Sequence, residues 1–205
     1  MSDSFKKIIG IGAIIFISAL VGILLGQFFC NYEMRYMFGR EYCGDVSGIE
    51  IYAAGEVDRD NFRKHLEMLV KAPGKLTECC DRIYFTGNGL DIPGSDSGLG
   101  SALGMTQDRT IYISTESYSS YVVFHELFHA YDNTHERLSE TAEFIRLYSE
   151  NDRVMPVFAA RSEDYASEFF AQVGAMYLLM PFELSVSAPD LFEYYDSTLG
   201  FGTDS

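Results

Sequence analysis

The sequence predicts an α+β domain, with a small β-sheet beside one buried helix, placed after a single membrane-spanning helix. Three observations carry that expectation. A charge-free stretch runs from Ile8 to Phe29, interrupted only by Ser18 and Gln27. Short runs with strand patterning recur between residues 49 and 114. A helical stretch from about Ser117 to Asn133 is apolar almost all round, as a helix at a domain centre is.

Composition allows this. A chain of 205 residues has room for one sizeable domain and an accessory segment, and 47 % hydrophobic with 15 % aromatic residues suits a packed core. The net charge of −15 is unevenly spread: beyond residue 110 the only basic residues are Arg137, Arg146, Arg153 and Arg161. Such a surface repels phosphate backbones, so nucleic acid is excluded as a partner. The cysteines are Cys30, Cys43, Cys79 and Cys80, with no C-x-x-C. Cys43 could pair with Cys79 or Cys80 if the domain faces an oxidising space, but four cysteines allow three connectivities.

Residues 1–7 form a short polar tail holding Lys6 and Lys7, and residues 8–29 are long enough to cross a bilayer. The stretch ends Gly26-Gln27-Phe28-Phe29-Cys30, without the small-residue site of a cleaved signal, so it reads as an uncleaved anchor. Lys6 and Lys7 favour an N-terminus inside the cell and a domain outside it. Gly22 and Gly26 are a small-xxx-small pair that could pack two anchors together, although the oligomeric state is open. Residues 30–47 read as a juxtamembrane linker and 48–205 as the soluble domain.

Within that domain, Ile49, Ile51 and Ala53 alternate with Glu50 and Tyr52 as in a strand. Asp58 or Asp60 caps a helix bearing Phe62, Leu66, Leu69 and Val70, which stops at Pro73-Gly74; His65 on it reads as a solvated surface histidine. Arg82–Thr86 is a second strand, 87–104 a Gly/Ser/Asp-rich loop, and Thr110–Ser114 a third strand. Ser117 is the expected cap of the apolar helix that follows.

That helix carries His125-Glu126-Leu127-Phe128-His129. Residues four apart share a helix face, so both imidazoles can reach one metal ion, and Glu126 is placed to take a proton from water there. This H-E-x-x-H pattern makes the domain zincin-like: two zinc ligands and the general base of a metallopeptidase. A catalytic zinc site needs a third protein ligand. His135 gives an approach to the metzincin pattern H-E-x-x-H-x-x-G-x-x-H, but Asp132 stands where that pattern has glycine. Glu168 opens an apolar stretch that runs to Met180 before Pro181, where an entering carboxylate needs a partner such as zinc. Asp132, one turn beyond His129, either orients a ligand imidazole by a hydrogen bond or ends the helix at the surface.

The motifs His125-Glu126-x-x-His129-Ala130-Tyr131-Asp132, Ser167-Glu168-Phe169-Phe170-Ala171, and Pro181 with Ala188-Pro189-Asp190-Leu191-Phe192 resemble the protease domain of anthrax lethal factor and the related Pro-Pro endopeptidases. The resemblance spans roughly Gly48 to Leu199. It implies zinc held by His125, His129 and Glu168, Glu126 as catalytic base, and a polypeptide substrate. The family has a tyrosine seven residues before its ligand glutamate, where Arg161 stands here, and a second glutamate at the position of Gln172. Arg161 or Tyr165 is then the expected catalytic partner of the oxyanion. The resulting expectation is a membrane-anchored zinc metalloendopeptidase. Its alternatives are a catalytically degenerate peptide- or partner-binding module, and a metzincin-like protease using His135.

Overall fold

The computed structural model describes residues 40–87, 90, 103–151 and 165–200, all of them but Arg40 within the unit Glu41–Ser205. The expected tail, anchor and most of the expected linker lie outside them, as does Arg161. The backbone of Tyr165 is described but its side chain is not. No helix among the described residues is long and apolar enough to cross a membrane.

Among the described residues, five strands form one mixed sheet in the order β1-β2-β3-β5-β4: β1 Arg40–Val46, β2 Ile49–Ala54, β3 Arg82–Thr86, β4 Gly104–Gln107 and β5 Thr110–Ser114. The sheet therefore begins before Gly48, within the stretch that reads as linker. Ser47 and Gly48 join β1 to β2 with φ of 53° and 83°, the positive pair that two-residue hairpins favour. Strands β2, β3 and β5 are parallel, in a register that sets Ile51, Ile83 and Ile111 side by side. With Ile49, Phe85 and Ile113 these side chains form the buried inner face. The alternate positions build a ladder on the other face, Tyr52 stacking on Tyr84 at 5.1 Å and Tyr84 on Tyr112 at 5.4 Å.

Helix α1, Arg59–Leu69, is capped by Asp58, whose carboxylate accepts the Asn61 N–H at 2.8 Å. His65 does not lie on its solvent side. It is 0 % exposed, between Phe85 and Tyr118, because it falls on the same helical face as Met68 and Leu69. The short α2, Gly74–Thr77, leads to Cys79 and Cys80, which are buried while Cys43 is exposed on β1; all three are free thiols.

Helix α3, Val122–Thr134, lies against β4, β5 and the helix Tyr165–Leu179. Its N-cap is Tyr121, not Ser117, and no side chain caps it; Ser119 Oγ accepts the Tyr121 N–H at 3.3 Å. A 3-10 turn, Leu138–Glu140, leads into α4, Ala142–Asn151. Helix α5, Tyr165–Leu179, is followed by α6, Pro181–Ser187, and α7, Pro189–Leu199, each opening on a proline whose missing N–H costs nothing there. Phe128, Phe144, Phe170 and Tyr195 fill the space between helices, and Tyr195 donates its hydroxyl to the Phe170 carbonyl at 2.6 Å.

Candidate metal centre

Two helices and one strand build the site. On α3, His125 and His129 lie one turn apart, their Nε2 atoms 3.1 Å from each other. From the first turn of α5, Glu168 reaches across with Oε2 at 3.3 Å from His125 Nε2 and Oε1 at 3.4 Å from His129 Nε2. These three residues form a group able to hold a metal ion. Donors about 2.0–2.1 Å from a tetrahedral zinc are separated by about 3.3 Å, so the donor types and spacings both fit zinc.

The electrostatics agree with a cation site. Hydrogen bonds from His125 and His129 outweigh burial and hold the Glu168 carboxyl far below the usual carboxylate range. Burial pulls His129 down, but Glu168, Glu126 and Asp132 together overcome it and leave its pKa raised. Negative charge thus surrounds the imidazoles on several sides, although Glu168 itself remains 53 % exposed. On the far side of the ring, Ser167 Oγ lies 3.3 Å from His129 Nδ1, fixing its orientation.

Glu126 points out of the ligand group and is only 4 % exposed. Its Oε2 accepts the Thr106 hydroxyl of β4 at 2.7 Å. Its Oε1 rests against Gly104, where a Cβ would come within 2.5 Å of that oxygen. Helix and strand border a cleft of about 1100 Å³ that also takes in His125, His129 and Glu168. Among the described residues β4 is the sheet edge, and Ser114 N–H bonds Leu103 O at 2.8 Å. By the alternation of an antiparallel ladder, Gly104 and Thr106 therefore turn their N–H and C=O groups away from β5, toward the open edge.

His135 is placed elsewhere. Helix α3 runs to Thr134, and His135 caps it with its ring stacked on Tyr131 at 3.9 Å. Its Nδ1 donates to the Tyr131 carbonyl at 2.9 Å, and it takes no part in the metal-holding group. Nor does Asp132 orient a ligand imidazole. It is wholly buried and accepts both the N–H and the hydroxyl of Ser139, at 2.8 and 2.6 Å, tying the end of α3 to the turn that follows. Gln172 lines the cleft. Sequence reasoning missed Gly104 and Thr106, because a four-residue strand behind a Gly-rich stretch gives little pattern to read, and the Asp108-Arg109 turn is not a strong hairpin signal.

Comparison with known proteins gives the fold a counterpart. No family model and no curated relative matches the chain. Among solved structures, the Pro-Pro endopeptidase of Paenibacillus alvei superposes with a TM-score of 0.56 at 17 % identity, over 72 % of this chain and 96 % of that one. The fold is thus that of a Pro-Pro endopeptidase, as the motif resemblance implied. The chain combines this fold with a two-histidine, one-glutamate centre and a neighbouring carboxylate.

Proposed function

We propose that the protein is a membrane-anchored zinc metalloendopeptidase. The observation that carries this is the convergence of His125, His129 and Glu168 within 3.4 Å, beside a Glu126 carboxylate facing the same cleft. Zinc bound by these three residues supplies Lewis-acid chemistry, acidifying water and polarising a carbonyl. Glu126 accepts the proton of the attacking water and returns it to the departing amine. The outward amide and carbonyl groups of Gly104 and Thr106 hold an extended peptide by main-chain hydrogen bonds across the cleft. Arg161 or Tyr165 completes the site as the oxyanion's partner, an assignment supported by sequence position alone. The structural neighbour is a Pro-Pro endopeptidase, so proline-containing peptides are the first substrates to offer. Anchoring by residues 8–29, with the domain outside the cell, rests on the apolar stretch and on Lys6 and Lys7.

The test is metal content and peptide hydrolysis of the purified full-length chain in detergent. One zinc per chain is expected, lost in Glu168→Ala and kept in His135→Ala. Glu126→Ala keeps the metal and loses about 10²–10⁴-fold in rate. A folded wild-type chain that takes up no zinc would make a peptide-binding module the better description.

A further inference from the structure

We infer that Thr106 and Gly104 of β4 are positioning residues for the Glu126 base, so that one strand aligns both the substrate backbone and the group that deprotonates water. The inference rests on the peptidase reading. The two oxygens of the carboxylate are held differently. Oε2 is held by the Thr106 hydroxyl at 2.7 Å, a contact to a charged acceptor in a nearly water-free place. Oε1, the oxygen left to take a proton, occupies the space that any side chain at position 104 would fill. Glu126 Cγ and Val122 Cγ2 lie at 2.7 Å from the same point, so a methyl group there would press on the stem of the base as well as on its carboxylate, and on the preceding turn of α3. Thr106 also contacts the Glu126 carbonyl at 3.0 Å, which fixes strand to helix at the base itself. A peptide seated on the outward groups of Gly104 and Thr106 presses on the two residues that set the carboxylate.

The experiment compares Thr106→Val, Thr106→Ser and Gly104→Ala with the wild-type full-length chain, using the proline-containing peptide the wild type cuts fastest and a peptide hydroxamate. Hydroxamates engage both zinc and the base, so their affinity reads the carboxylate's position without turnover. Thr106→Val is expected to lower kcat and hydroxamate affinity by about tenfold or more with KM and zinc content unchanged. Thr106→Ser recovers most of both. Gly104→Ala loses kcat as Thr106→Val does, and it stands in if the valine variant does not fold. Valine and alanine variants with wild-type kcat and hydroxamate affinity would overturn the inference while leaving the peptidase reading intact. A wild-type chain that cuts no peptide but whose hydroxamate affinity still falls in Thr106→Val would overturn the peptidase reading and uphold the placement of Glu126.

Discussion

Replacing Gly174 with alanine tests whether helix packing sets the metal centre. Gly174 lies on α5 against Phe128 of α3, and an added Cβ would stand 2.5–2.6 Å from three atoms of that ring. Carbon atoms in contact sit about 3.5–4.0 Å apart, so the two helices must separate by about 1 Å unless the ring turns aside. It has nowhere to turn. Phe128 is fully buried, with Phe170 and Tyr195 packed edge-on at centroid distances of 6.0 and 5.7 Å. Overpacking costs about 1–3 kcal/mol, against about 1 kcal/mol of improved helix propensity, which leaves a net loss of up to about 2 kcal/mol. For a domain of this size the melting temperature should fall by up to about 8 °C. The functional effect is separate and larger. Glu168 rides on α5 and both histidines on α3, so the same displacement stretches ligand spacings now at 3.3 and 3.4 Å. Zinc affinity, read by chelator competition, should drop by about tenfold or more. Combining Gly174→Ala with Phe128→Leu makes room for the methyl group and should recover affinity. A Gly174→Ala chain that melts no lower than wild type and holds zinc equally well would refute the packing argument.

Two further predictions separate structure from chemistry near the site. Asp132→Ala leaves the Ser139 N–H and hydroxyl without their buried acceptor and should cost about 2–4 kcal/mol in urea unfolding, with zinc content unchanged. Loss of zinc in a variant that remains folded would instead return Asp132 to the role of orienting a ligand. His65 should give the fold a dependence on pH. Burial lowers its pKa, aided by Lys64, while the Ser117 backbone pulls the other way. The unfolded chain therefore takes the proton first. Stability is level above about pH 6.5 and falls below it, by at most about 1.4 kcal/mol per pH unit, until the folded-state pKa is passed. His65→Phe should remove that component, so urea midpoints measured between pH 7.5 and 5.5 should fall less steeply than in wild type. Parallel lines for the two proteins would refute it.

The parts of this molecule that were legible in the sequence are those written in local pattern. His125 and His129 announce a shared helix face by spacing alone, and the alternation of Ile49, Ile51 and Ala53 marks a strand whose inner face is buried. Glu168 could be picked out because a carboxylate at the head of an apolar helix demands a partner, and the structure brings it to both imidazoles. His65 misled because its sequence neighbours Lys64 and Glu67 are charged, whereas the helix period turns it toward Phe85. Asp132 misled for a similar reason. Its position one turn after His129 suggested service to the metal, but its partner is Ser139, chosen by the path of the chain beyond the helix.

What no local pattern carries is contact between distant backbones, and the site depends on two such contacts. Gly104 admits the Glu126 carboxylate beside β4, and Gly174 admits the Phe128 ring beside α5. Each has nothing to do with a turn; each is a place where a methyl group would hold two elements apart. One sets Glu126 against the strand proposed to receive substrate, and the other sets Glu168 against the helix that bears His125 and His129. Seen singly in the sequence, a glycine in a Gly/Ser-rich stretch reads as loop and a glycine in a helix reads as a weak point. Their common role follows only from the sum of two requirements. The donors must converge to about 3.3 Å, as a tetrahedral zinc requires, while the base stays outside that group yet close beside it. Two helices and a strand cannot come that close with a side chain at every position, so the small residues fall where the elements meet around the centre.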